Sequence, residues 1–197
     1  IRQVSDGWTK KYVLAYAMPD GSTYEYESAS RKSIDAYRAE LEGNARGEQP
    51  IADAVCIVPQ TPDGNLLLIR EFRYPLNSWC IAFPAGLKEP GESLAACVDR
   101  ELREETGYAL RAEADCANAP ALEPLPQAGY SSTGLTDETV HVVFAQVERV
   151  STAQPEPNEF IEPFLLAIDD VPRFLAENRT PIGTRAQLVL EAFARRR

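Results

Sequence analysis

The chain has 197 residues, 44% of them hydrophobic and 25% charged, which suits one folded core with a small accessory part. A net charge of −10 excludes the basic surface that a nucleic acid or an anionic membrane needs. The longest apolar runs, 66–69 and 164–168, are too short to cross a bilayer, and residues 1–10 are polar, without the apolar stretch of a secretory leader.

In chain order, residues 8–31 read as a hairpin, with strands at 12–17 and 23–27 around the turn Pro19-Asp-Gly-Ser. A short helix is predicted over 33–41, ended by Gly43 and Asn44. Residues 52–58 and 65–69 form a second hairpin around Thr61-Pro-Asp-Gly, and 78–83 is a further strand running into Pro84, Ala85 and Gly86. A helix follows over 93–106, with Ser93 as N-cap, Leu94, Val98 and Leu102 at four-residue steps, and Gly107 as a left-handed stop. After a Pro- and Ala-rich loop, 139–148 and 163–168 read as strands. A short helix opens at Asp170, and an amphipathic one covers 185–195. Strands with helices on both sides predict an α/β (α+β) domain over 51–197, preceded by a β-rich region over 1–50. Cys56, Cys80, Cys97 and Cys116 are scattered, and with His141 as the single histidine they make no zinc cluster. They fit reduced thiols in a cytoplasm.

Glu101, Glu104 and Glu105 share one face of the predicted helix, and two of them lie in its last turn. There the negative end of the macrodipole costs each about 0.3–1 kcal/mol, and mutual repulsion adds a few tenths. Arg100 and Arg103 relieve part of that cost, and a divalent cation would reverse it. Carboxylates without Cys or His suit Mg²⁺ or Mn²⁺. Taken alone, the three glutamates fit a solvated acidic face equally well.

The wider pattern is Gly86, Glu92, Arg100, Glu101, Leu102, Glu104, Glu105, Gly107 and Tyr108, at the spacing of the Nudix box. The chain therefore resembles the Nudix hydrolases. That resemblance implies an α/β/α sandwich around a mixed sheet, with the box as loop, helix and loop. It implies that Glu101, Glu104 and Glu105 hold Mg²⁺ or Mn²⁺ together with the Ala85 carbonyl. Glu92 and Arg100 would brace the loop against the helix. The cation would neutralise a diphosphate and polarise a phosphorus for attack by water.

Beyond the box, 68–75 and 81–86 look like the lead-in of the ADP-ribose and ADP-sugar pyrophosphatases, the subfamily the chain resembles over nearly its whole length. Trp8 and the run 26–31 resemble that subfamily's adenine-binding hairpin, in which two aromatics clamp the base, one from each subunit of a homodimer. Trp8 and Tyr26 are eighteen positions apart, as in that hairpin, with Tyr in place of a second Trp. Outside that resemblance, both residues fit ordinary hairpin packing. Arg31 and Arg73 are the implied phosphate or ribose clamps, with Glu27 and Glu138 as further substrate contacts. On a flat strand Arg70 faces away from Arg73. A late-loop glutamate, Glu159, is the candidate for orienting the water, with Glu162 and Glu138 as alternatives.

The chain departs from the subfamily at two places. Ser132-Thr133-Gly134 stands where a Ser-Pro-Gly-like motif is common, and Ala82 stands where many relatives carry Glu. Pro124 has the spacing of an ADP-ribose marker, but alignment by motif assigns that place to Thr133. The expected activity is hydrolysis of an ADP-sugar to AMP and a sugar phosphate. GDP-mannose or a UDP-sugar as substrate, and a silent nucleotide-sensing domain, are the alternatives.

Overall fold

The structure is a computed structural model that describes residues 1–116 and 119–195. Its backbone contacts divide it into two compact units. One consists of Ile1–Ala54 and Pro126–His141, the other of Val55–Leu125 and Val142–Arg197.

The first unit is built on a three-stranded antiparallel sheet of β1 (Arg2–Gln3), β2 (Lys10–Ala17) and β3 (Thr23–Ser30). Its turn uses Gly21 at φ +84, a backbone that glycine adopts without a Cβ penalty. Tyr12, Val13 and Leu14 are the buried residues of β2. Tyr12 and Leu14 point inward onto Tyr37 of helix α1 (Ile34–Ala45), and the Tyr12 and Tyr37 rings meet edge to face at 5.1 Å. Ser33 caps α1 by accepting the Ala36 N–H at 3.3 Å. The helix runs through Gly43 and Asn44 rather than stopping at them, because Gly43 is buried inside its last turn. The returning segment 126–141 joins the hairpin by a parallel bridge from Ala29 to Thr136 and by Ala29 N–H donating to Leu135 O at 2.8 Å.

The second unit holds the larger sheet. Its strands are β4 (Ala54–Gln60), β5 (Asn65–Arg73), β6 (Ser78–Ala82), β7 (Ala85–Leu87), β8 (Tyr108–Leu110), β9 (Leu122–Pro124), β11 (Thr139–Arg149) and β12 (Ile161–Ala167). Strand order is β11-β4-β5-β12, with β6 on β5, β7 on β4, and β8 and β9 on β11. The segment predicted as a Pro- and Ala-rich loop thus contributes short strands to one edge of β11. These are β8, β9 and, in the first unit, β10 (Gly129–Tyr130). They are too short for a period to show, and Ala117 and Asn118 lie outside the described residues.

Helix α2 (Leu94–Thr106) covers one face of this sheet. Cys97, Val98 and Leu102 pack on Val55, Ile57, Leu67, Val143, Ala145 and Val147. Burying such side chains supplies about 1.5–3 kcal/mol apiece for the larger ones. Helices α3 (Val171–Glu177) and α4 (Thr184–Ala194) complete the unit, with the Phe164 and Phe174 rings 6.1 Å apart. All four cysteines are free. No helix among the described residues is long and apolar enough to cross a membrane.

Candidate active site

Helix α2 is stopped at both ends by its own sequence. Ser93 accepts the Ala96 N–H at 3.2 Å, and Gly107 takes the left-handed conformation at φ +75. Between these caps, the same face that buries Val98 and Leu102 also buries Glu101 and Glu105, at 8% and 5% exposure. Glu104, one step round the helix, keeps 48% of its side chain in solvent. The acidic face is therefore split into two buried carboxylates and one exposed one.

Arg100 ties this face to the loop before it. Its guanidinium forks onto Glu92, with Nε to Oε1 at 2.9 Å and Nη2 to Oε2 at 3.0 Å, and Nη2 also reaches Leu87 O at 3.0 Å. Nη1 donates to Glu101 at 2.8 Å and to Glu104 at 3.2 Å. The fork from Arg100 holds the Glu92 carboxyl down at about 2. Gly86 is required by packing: a Cβ there would lie 1.9 Å from Glu101 Oε1.

Glu105 accepts the Ala85 N–H at 3.1 Å, which brings the strand β7 backbone against the helix. Burial raises its carboxyl well above the ordinary range, and the charges of Glu101, Glu71 and Glu159 push the same way. Glu101 is raised too, by burial before all else, with Arg100 opposing.

The charge of Glu159 acts on Glu71, Glu101 and Glu105, pushing each carboxyl upward as a minor cause beside burial. Glu162 is directed elsewhere: it lies opposite Arg70 in the β5–β12 ladder and pairs with it at 2.6 Å. Arg70 also stacks on Trp79 at 4.6 Å. Arg73 pairs with Glu71 at 2.7 Å and leaves 47% of its side chain exposed.

Glu71 is the residue that sequence reading passed over. Leu67, Ile69, Glu71 and Arg73 share one face of β5, and Leu67 packs on α2. An acid in line with core residues was the available signal. Its Oε2 is buried with no hydrogen bond of good geometry, so the contact with Arg73 is Coulombic.

The remaining candidates lie in the first unit. Trp8 precedes β2 with 75% of its surface exposed. Tyr26 on β3 donates to Gly134 O at 2.7 Å and lines a cavity of about 680 Å³ with Tyr16, Tyr37, Tyr130 and Thr133. Arg31 and Glu138 form an ion pair with each other. Glu27 pairs with Lys11 at 2.6 Å on the exposed face of the hairpin.

Among the described residues no three acidic, histidine or cysteine side chains converge on a point that could hold an ion in this conformation. Arg100 spans Glu101 and Glu104, and Glu105 is turned to Ala85. The residues nonetheless suit a hard cation. The donors are all oxygen, and the buried Glu105 stands in the field of three other carboxylates.

Comparison with known proteins identifies the family. The NUDIX domain model matches residues 50–185. The chain is 31% identical to the ADP-sugar pyrophosphatase of Mus musculus over 96% of this chain and 79% of that protein. It is 32% identical to the ADP-ribose pyrophosphatase of Bacillus subtilis (strain 168) over 76% of this chain and 79% of that protein. A solved structure described as an ADP compounds hydrolase shares the fold, with a TM-score of 0.70 at 20% identity over 98% of this chain and 89% of that one. The chain belongs to the Nudix family and is a Nudix hydrolase.

Proposed function

We propose that the protein hydrolyses the diphosphate of ADP-ribose or a related ADP-sugar, releasing AMP and a sugar phosphate, with Mg²⁺ or Mn²⁺ as cofactor. The observation that carries this is Glu105, which is 5% exposed and lies in the field of Glu101, Glu71 and Glu159. That arrangement is repulsive by itself and becomes favourable with a divalent cation. The likeness to ADP-sugar and ADP-ribose pyrophosphatases supports the substrate class.

Glu101, Glu104, Glu105 and the Ala85 carbonyl would hold the cation, which supplies charge neutralisation of the diphosphate oxygens. Arg73, half exposed beside the carboxylates, binds a phosphate oxygen through its forked donors. Glu159 orients the attacking water and takes its proton as the water oxygen bonds to phosphorus and the anhydride bond breaks. Arg100 and Glu92 fix the loop so that the box carboxylates keep their geometry. In the first unit, Trp8 and Tyr26 stack on the adenine across a homodimer, each base held by one ring from either subunit, at about 1–3 kcal/mol per stacked ring. Glu27, Arg31 and Glu138 contact the remainder of the nucleotide.

The test is incubation of the purified protein with Mg²⁺ and a panel of nucleoside diphosphate sugars, with the phosphate products identified. Turnover of ADP-sugars ahead of GDP- and UDP-sugars is expected, and turnover of no member overturns the proposal. Sedimentation equilibrium of the wild type checks the dimer. Trp8→Ala should raise KM for ADP-ribose with little change in kcat.

A further inference from the structure

Glu159 sits in the loop between β11 and β12, and hydrogen bonds tie that loop down at both ends. At its start, Gly107 O accepts the Val150 and Ser151 N–H groups, and Glu104 O accepts the Gln154 N–H at 2.8 Å. These contacts fasten it to the last turn of α2. At its other end the contacts run to β5. The β5–β12 ladder has its last strand pair at Ile161 and Glu71. It continues one step further, because the Phe72 N–H donates to Phe160 O at 3.0 Å.

There the main chain of β5 turns away. Tyr74–Leu76 forms a 3₁₀ turn, closed by the Asn77 N–H donating to Tyr74 O at 3.1 Å. A side chain takes over from the ladder: the Tyr74 hydroxyl donates to Asn158 O at 2.9 Å. Tyr74 and Asn158 stand at the same offset as Glu71 with Ile161 and Phe72 with Phe160, which leaves Glu159 opposite Arg73. The Tyr74 ring meets the Phe72 ring edge to face at 5.5 Å, and this contact aims the hydroxyl. Inside the loop, the Glu159 N–H donates to Glu156 O at 2.9 Å, and Glu159 Oε2 accepts the Glu156 N–H at 3.1 Å. The turn therefore sets the direction of the carboxylate, and the contacts at 158 and 160 set the place of the turn.

We propose that Tyr74 is a positioning residue of the hydrolytic site, its hydroxyl fixing the loop so that Glu159 stands opposite Arg73. The carboxylate that orients the water and the guanidinium that binds a phosphate oxygen then keep one spacing. The inference rests on the roles proposed above for those two residues. It adds to them an uncharged residue outside the box, which acts through Glu159 and touches no substrate atom.

Tyr74→Phe keeps the ring and its contact with Phe72 and removes only the donor. Hydrogen–deuterium exchange of the full chain should be about two- to tenfold faster across 151–160 in this variant, the factor by which one net hydrogen bond shifts a local opening. With ADP-ribose and Mg²⁺, kcat should fall about tenfold while KM stays within about twofold of the wild type. In a Glu159→Gln background the same substitution should cost less than about twofold, because the carboxylate it positions is already gone. An undiminished loss in that background, a rise in KM, or unchanged loop exchange overturns the inference. Wild-type turnover by Glu159→Gln overturns the reading of Glu159 instead, and the loop exchange then decides by itself whether Tyr74 holds the loop.

Discussion

Glu105 couples folding to pH and to metal at one side chain. Its carboxyl is raised above the unfolded value, so the folded state favours the protonated form. The stability this lends is complete below the unfolded pKa, near pH 4.5, and is lost as pH rises through the folded value. Glu105→Gln removes the penalty. At pH 8 the metal-free variant should be more stable than the wild type, and the difference should vanish near pH 4. Thermal melts in a chelator at the two pH values check this, and a variant that melts below the wild type at pH 8 would contradict it. Gly86 acts through shape alone. An Ala there would drive its Cβ to 1.9 Å from a Glu101 carboxylate that Arg100 already anchors. Gly86→Ala should keep its circular dichroism spectrum and lose about 100-fold in kcat/KM, the effect of displacing a reacting group by an ångström. Such residues were legible because the box states their spacing outright. Glu71 was not, since one acid on a strand carries no period of its own. Its burial depends on α2 packing over Leu67, from a helix that lies more than twenty positions later.

At the scale of the element, the box works because α2 ends where it does. Gly107 sits at φ +75, and a Cβ there would stand 2.6 Å from Ser151 O and 2.8 Å from Thr152 C. Both are backbone atoms and cannot swing aside. The Gly107 carbonyl also accepts the Val150 and Ser151 N–H groups at 3.0 Å each, so the helix stop is shared with the end of β11. Gly107→Ala should therefore cost about 2 kcal/mol or more, from left-handed strain plus the clash. Gly91 has φ +80, and a Cβ there would meet nothing within 4 Å, so Gly91→Ala should cost about 1 kcal/mol. Urea unfolding of the two variants separates steric from conformational cost. The caps Ser93 and Gly107 could be read from sequence because capping is local chemistry. The short strands β8, β9 and β10 could not, since each is only two or three residues long and shows no period.

At the scale of the whole molecule, the first unit is assembled from two stretches of chain, Ile1–Ala54 and Pro126–His141, and a single cation helps to join them. Lys32 Nζ lies 2.7 Å from Glu40, 3.0 Å from Asp53 and 3.0 Å from Asp137, with 21% of its side chain exposed. Burial pulls the ammonium pKa down, but the hydrogen bonds to Glu40, Asp137 and Asp53 more than reverse it, so the charge persists throughout the physiological range. Asp137 accepts a second bond from Ser30 at 2.9 Å, and Asp53 accepts the Thr139 N–H at 2.9 Å, so the returning segment is held through both acids. Lys32→Met leaves three facing carboxylates without their counter-ion. The expected loss is about 3 kcal/mol, the lower end of what breaking a buried pair costs, because the site keeps some access to water. The sign of the pH dependence follows from Glu40, whose carboxyl is raised by burial even with Lys32 present. As pH falls and Glu40 takes up its proton, the repulsion in the variant fades, so its deficit against the wild type should narrow toward low pH. Urea unfolding of the full chain from neutral to low pH measures the deficit, and limited proteolysis reports on the returning segment. Faster cleavage within 126–141 is expected in Lys32→Met at neutral pH. Equal cleavage and a deficit that does not move with pH would assign the stability of this unit to the Tyr12, Leu14 and Tyr37 core instead.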